Sequence, residues 1–122
     1  MVDYKPPYRA GFLAGLGAFA VYLLTLAPST AMWDTSEYIA TAHILGIPHP
    51  PGNPLFVALG GAWSVFLAPT GLPVAVRINL LAAVTSAVAA GFYFLVVHRI
   101  LVGFLASRTP LPRDRGKGAR AG

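Results

Sequence analysis

Apolar and polar positions in this chain fall into blocks rather than a fine alternation. After a short polar lead, MVDYKPPYR, residues 10–27 run without a formal charge. As a helix that run would be about 27 Å long, close to the roughly 30 Å of a bilayer core. A cleavable leader is the competing reading, with Lys5 and Arg9 as its basic start and Ser29-Thr30-Ala31 as a cleavage site. Leader cores usually run about 7 to 15 residues, so the longer block is better read as a span. Residues 34–45 predict a short amphipathic helix. Tyr38, Ile39, Ala42 and Leu45 share one side of it, with Ser36, Glu37, Ala40 and His43 opposite. Gly46 is expected to end it, and Pro48, Pro50, Pro51 and Pro54 then hold the backbone extended.

Asn53-Pro54 reads as a new helix start, with Asn as cap and Pro in the first turn. The apolar block that follows, to position 68, is short for a span and suits a helix lying in the membrane interface. A second uncharged block, 78–98, is long enough to cross. The expected fold is therefore all-α and integral to a membrane. Two transmembrane helices, about 10–27 and 78–98, are joined by an extracytoplasmic loop carrying two interfacial helices, about 34–45 and 54–68. Residues 1–106 form this module, and the basic, glycine-rich segment 107–122 is expected to be a disordered tail.

Composition agrees. Of 122 residues, 56% are hydrophobic and 11% charged, too much apolar surface for a soluble domain of this size to hide. The net charge of +5 resembles a nucleic-acid signal, but six of the nine basic residues lie from Arg99 onward, behind an apolar block. That is a topology signal, and no nucleic-acid partner is implied. With Lys5, Arg9 and the tail cytoplasmic, only Arg77 among the basic residues faces outward, which places both termini inside and the loop outside. The expected location is a bacterial inner membrane, crossed more than once. The chain has no cysteine, so thiol chemistry and disulfides are excluded.

Both predicted spans carry small residues four apart, Gly11 with Gly15, and Ala83, Ala87 and Gly91. Such faces let helices approach closely and predict helix partners, from a longer polypeptide or an oligomer.

Candidate chemistry concentrates in DTSEYIATAHILGIPHPPGNP, residues 34–54. Asp34 follows the first span, beside Trp33 as an interface anchor, and could act as general base on an acceptor hydroxyl. It also opens a capping-box pattern with Glu37, and the two roles are compatible. His49 between two prolines is a stiffly held hydrogen-bond donor or a solvated loop residue. No closely spaced ligand pair is present, so no metal ligands are assigned. Arg77 could hold a lipid-linked phosphate, snorkel, or pair with Asp34 or Glu37. Asn79 could touch substrate, though a helix-packing hydrogen bond suits its place better.

TLAPSTAMWDTSEYIATAHILGIPHPPGNPLF, followed by VRINLLAAVTSA, resembles the start of the membrane family known as domain of unknown function 2723. That family is similar to GT-C glycosyltransferases and, in its animal members, to protein O-mannosyltransferases. The resemblance covers about residues 22–90. It implies that Asp34 is the essential acid of the first extracytoplasmic loop and Glu37 the second acid of its motif. His49 would belong to a His-Pro-Pro turn, and Arg77 and Asn79 to the entry of the second span. Thr35-Ser36 and Asn53 stand where Ser-Gly and Tyr are more usual.

The implied reaction moves a mannose-like sugar from a polyprenyl-phosphate donor to a hydroxyl acceptor on protein, with no cofactor besides that lipid-linked substrate. Asp34 and Glu37 would be catalytic; His49, Arg77 and Asn79 would bind substrate. GT-C enzymes have many spans, so this chain is expected to be the N-terminal part of such an enzyme and inactive alone. The rival reading is a non-catalytic small membrane subunit or a truncated remnant.

Overall fold

The computed structural model describes residues 4–108 apart from 32 and 51, and the expected disordered tail lies almost wholly outside the described residues. The order of elements is α1 (Tyr8–Leu24), α2 (Thr35–Ile44), α3 (Pro54–Phe66), a 3-10 turn (Ala68–Thr70) and α4 (Val74–Arg108). No strand occurs among the described residues. The helical assignment therefore stands, with boundaries that differ from those of the apolar blocks.

α1 stops at Leu24, short of Ala27. Pro28 disfavours helical backbone in the residue before it, and the Thr25 hydroxyl donates back to the Val21 carbonyl at 2.9 Å. α4 runs past the uncharged block at both ends, from just after Pro73 to Arg108. A charge interrupts a hydrophobic run without breaking backbone hydrogen bonds, so Arg77, His98 and Arg99 sit inside the helix. At 35 residues it is about 52 Å long. α4 is the one described helix long and apolar enough to cross a membrane, while α1 and α3 are apolar but shorter. Few of the apolar side chains of α4 are buried, and many are open, among them Phe92 and Tyr93 at 65% and 71% exposure. The core helix of a soluble protein would bury them.

α1 and α4 lie antiparallel. Their small-residue faces meet each other. A methyl group built on Gly91 would sit 2.9 Å from the Gly11 carbonyl oxygen, and one on Gly15 would sit 3.0 Å from that of Ala87. At one end of the pair the Tyr4 hydroxyl bonds His98 Nδ1 at 3.0 Å, and the Arg99 guanidinium lies over the Tyr4 ring. At the other end Asn79 Nδ2 donates to the carbonyls of Ala27 and Ser29, fastening the connection after α1 to α4.

α2 and α3 sit beside that second end. Ile39 and Ala42 of α2 and Ile78 of α4 form a small buried core, with Phe56, Val74 and Ala75 against it. This matches the apolar side expected for α2, except that Leu45 is exposed. α2 ends at Ile44, two residues before Gly46. Leu45 takes the left-handed conformation (φ 54°), and the Gly46 N–H closes on the Thr41 carbonyl at 2.8 Å. Leucine is costly there. Gly61 of α3 makes room for it, since a methyl group on Gly61 would come within 2.6 Å of Leu45 Cδ2.

Candidate functional site

The acid-and-histidine cluster is built by two local features. Trp33, in the left-handed region at φ 68°, turns the chain so that Asp34 stands at the start of α2. Glu37 follows one turn later. The proline-stiffened loop after α2 then brings His49 back over that first turn. His49 is clamped there twice by one carboxylate: its backbone N–H donates to Glu37 Oε1 at 2.7 Å, and Nδ1 lies 2.8 Å from Oε2. Its other ring nitrogen, Nε2, faces Asp34 Oδ2 at 3.8 Å.

The cluster is half open to solvent. The side-chain and backbone hydrogen bonds from His49 hold the Glu37 carboxyl below its ordinary value. The hydrogen bond and charge of Glu37, with a lesser effect of Asp34, raise the His49 imidazole. One ligand atom from each of Asp34, Glu37 and His49 lies within 4.8 Å of the others. Those three could gather round a cation, although both Glu37 oxygens already accept from His49 and a cation would compete with those bonds.

Asp34 does not cap α2. It holds the cap position, but its side chain makes no capping hydrogen bond, and Glu37, the other half of the expected capping box, is turned to His49. Asn53 likewise makes no side-chain cap for α3; its Nδ2 donates to the Tyr38 hydroxyl at 2.7 Å. For Glu37 and Asn53 a long-range partner replaces the local one that the spacing suggested.

Beside Asp34 opens a groove of about 610 Å³, walled by Trp33, Tyr38, Asn53, Phe56, Ile78 and Asn79 among others. Among the described residues Asp34 is the sole charged one lining it. Tyr38 is fixed in the wall by edge contacts with the rings of His49 and Phe56. Tyr38, Asn53 and Phe56 were read from the sequence only as an apolar face and a helix start. Adjacency of Tyr38 to Glu37 was the one available hint.

Arg77 is placed differently from the other expected site residues. Its Nε donates to the Leu72 carbonyl at 2.7 Å and its Nη1 to that of Ser64 at 3.0 Å. The guanidinium thereby satisfies carbonyls at the end of α3 and in the following turn. Among the described residues it forms no ion pair with Asp34 or Glu37, and it does not line the groove. Asn79 reaches the groove wall while its amide is spent on the Ala27 and Ser29 carbonyls. The structure thus brings Asp34, Glu37 and His49 together, sets Asn79 at the edge, and leaves Arg77 apart.

Comparison with known proteins bears on the same segment. The chain is 43% identical over 99 residues to protein O-mannosyl-transferase TMEM260 of Mus musculus, across 77% of this chain and 14% of the mouse protein. It is 36% identical over 78 residues to protein O-mannosyl-transferase tmem260 of Dictyostelium discoideum, across 64% of this chain and 10% of that protein. The chain therefore spans about a seventh or less of the length of these relatives. No solved structure matches it. The protein O-mannosyl-transferase TMEM260 N-terminal domain matches residues 34–118, beginning at Asp34 and taking in the cluster, α4 and the groove apart from Trp33. On that match, which covers well over half of its length, the chain belongs to the family of the protein O-mannosyl-transferase TMEM260 N-terminal domain.

Proposed function

We propose that this chain is the N-terminal membrane module of a GT-C-like protein O-mannosyltransferase. The enzyme moves a mannose-like sugar from a polyprenyl-phosphate carrier to a hydroxyl on protein, at the extracytoplasmic face. α1 and α4 are its first two spans. In support, Lys5, Arg9 and Arg99 gather at one end of the antiparallel pair and Asp34 and Glu37 at the other. α2 and α3 lie along the membrane surface, with Leu55, Val65 and Phe66 of α3 turned outward.

The observation that carries the reading is a groove on which Asp34 is the single charged group among the described residues. A neutral, hydroxyl-bearing acceptor can lie there with its oxygen against Asp34, which removes its proton as that oxygen attacks the anomeric carbon. An anionic phosphate is disfavoured beside the Asp34 carboxylate. With Arg77 engaged by backbone carbonyls, the donor phosphate is held by cationic groups outside this groove.

The test is Asp34→Asn in the polypeptide that performs transfer. Loss of general-base help typically costs about 10² to 10⁴ in rate. Activity within a few fold of wild type, at normal expression, removes Asp34 from the mechanism.

A further inference from the structure

Glu37 and His49 do something more specific than line a site. Both Glu37 oxygens are occupied by His49, one by its backbone N–H and one by Nδ1. A carboxylate so engaged is poorly placed to take a proton from substrate. What it does well is set the imidazole. An ionised Glu37 accepts a hydrogen bond only from a protonated Nδ1, so neutral His49 carries its proton there and presents the lone pair of Nε2. That lone pair faces Asp34 across 3.8 Å, a gap that a rotation of the half-exposed Asp34 side chain can close.

We propose that His49 is the proton sink for Asp34, and that Glu37 is a positioning residue acting through His49 rather than a second catalytic acid. This rests on the transfer reaction proposed above. As the acceptor oxygen bonds to the anomeric carbon, its O–H bond breaks and the proton passes to the Asp34 carboxylate. The anomeric carbon–oxygen bond to phosphate breaks, and its electron pair leaves with the phosphate. Asp34 then gives the proton to Nε2 of His49, which becomes an imidazolium against Glu37 while Asp34 returns to its ionised form. The groups around the ring are few. Asp34 and Glu37 face it from α2 and its entry, and the ring of Tyr38 lies edge-on, its hydroxyl taken by Asn53. Among the described residues, Asn53 before α3 and Phe56 within it touch Tyr38, and α3 itself has no titratable group.

Two measurements decide it. The first needs no activity: imidazole nitrogen spectra of the histidine-labelled chain in nanodiscs, followed against pH. Neutral His49 should hold its proton on Nδ1, and its titration should move to lower pH in Glu37→Gln. A neutral form protonated on Nε2, or a titration that Glu37→Gln leaves in place, overturns the inference whatever Asp34 does. Selective broadening of His49 by micromolar Mn²⁺ would also overturn it, because the cluster would then be a cation site.

The second is the pH profile of transfer in the full enzyme. The rate should rise with pH as His49 loses its proton. Glu37→Gln should shift that inflection to lower pH, and His49→Gln should abolish it with at least a tenfold fall in kcat. A purely structural clamp would lower the rate at all pH values and leave the inflection where it was, which refutes the relay. If the spectra behave as stated but Asp34→Asn transfers normally, the pair stands and the reaction assigned to it fails.

Discussion

Substituting Gly91 with alanine tests the crossing of α1 and α4, on which the placement of everything else depends. The added methyl carbon would sit 2.9 Å from the Gly11 carbonyl oxygen and 3.7 Å from Gly15 Cα. The first contact is to backbone, which cannot rotate away, so α1 must retreat by about half an ångström to reach ordinary van der Waals separation. A gap of that size forfeits about a quarter of the dispersion well for each facing atom pair along the seam. Overpacking of this kind typically costs about 1–3 kcal/mol.

Gly17 lies in the same helix pair with nothing within 4 Å of its built methyl group. Gly17→Ala should therefore be neutral, or stabilising by up to about 1 kcal/mol through helix propensity. Because the chain has no native cysteine, dyes on Lys5→Cys and Ile100→Cys can follow separation of the helices during detergent-driven unfolding in micelles. Gly91→Ala should shift the midpoint towards less denaturing detergent by an amount matching that loss, with Gly17→Ala unchanged or shifted the other way. Equal stability of the two variants would refute the close approach.

Three further outcomes follow from the same geometry. Because Asp34 makes no capping bond, Asp34→Ala should cost α2 much less than the about 1 kcal/mol usual for a lost cap, by thermal melting in micelles; a full-sized loss would show that the cap forms. The Glu37–His49 clamp should depend on pH at both limits. His49, raised by Glu37, contributes stability that is complete below its unfolded value near 6.5 and is lost as pH rises through its higher folded value. Glu37, lowered by His49, contributes stability present above its unfolded value near 4.5 and lost as pH falls through its lower folded value. Protection of the His49 amide, corrected for intrinsic exchange, should peak between those limits and vanish in Glu37→Ala, which removes the acceptor; flat protection across that range contradicts the clamp. Finally, Ser36→Cys should react with an impermeant thiol reagent from the extracytoplasmic side, and labelling from the cytoplasmic side alone would reverse the proposed topology.

How much of this was legible in the chain depended on range. The order of the helices followed from the uncharged apolar blocks and the buried side of α2 from its apolar periodicity, because both are local properties, whereas α4 extends beyond its block at both ends. The concentration of chemistry between 34 and 54 was equally plain, because so few polar groups occur elsewhere before the tail. Small residues four apart in both long apolar blocks announced close helix contacts, but not that Gly11, Gly15 and Gly91 would face one another. That choice belongs to the connection through α2 and α3, which returns the chain antiparallel.

The partners of individual polar groups were decided only in three dimensions. Asp34 and Glu37 looked like the two halves of a local cap, and Asn53 like the cap of α3. His49, brought back across 12 positions, outcompetes the cap for Glu37 because two hydrogen bonds to one carboxylate are stronger than one local bond. Arg77, the lone outward cation by sequence, is drawn to the Ser64 and Leu72 carbonyls because α3 ends beside it with those acceptors open. Composition and spacing determined which residues could do chemistry and roughly where they stand. Tertiary contact decided which carboxylate is held by two hydrogen bonds to His49 and which only faces its ring at 3.8 Å, because a hydrogen bond is made by proximity in space and the chain reveals only proximity in order.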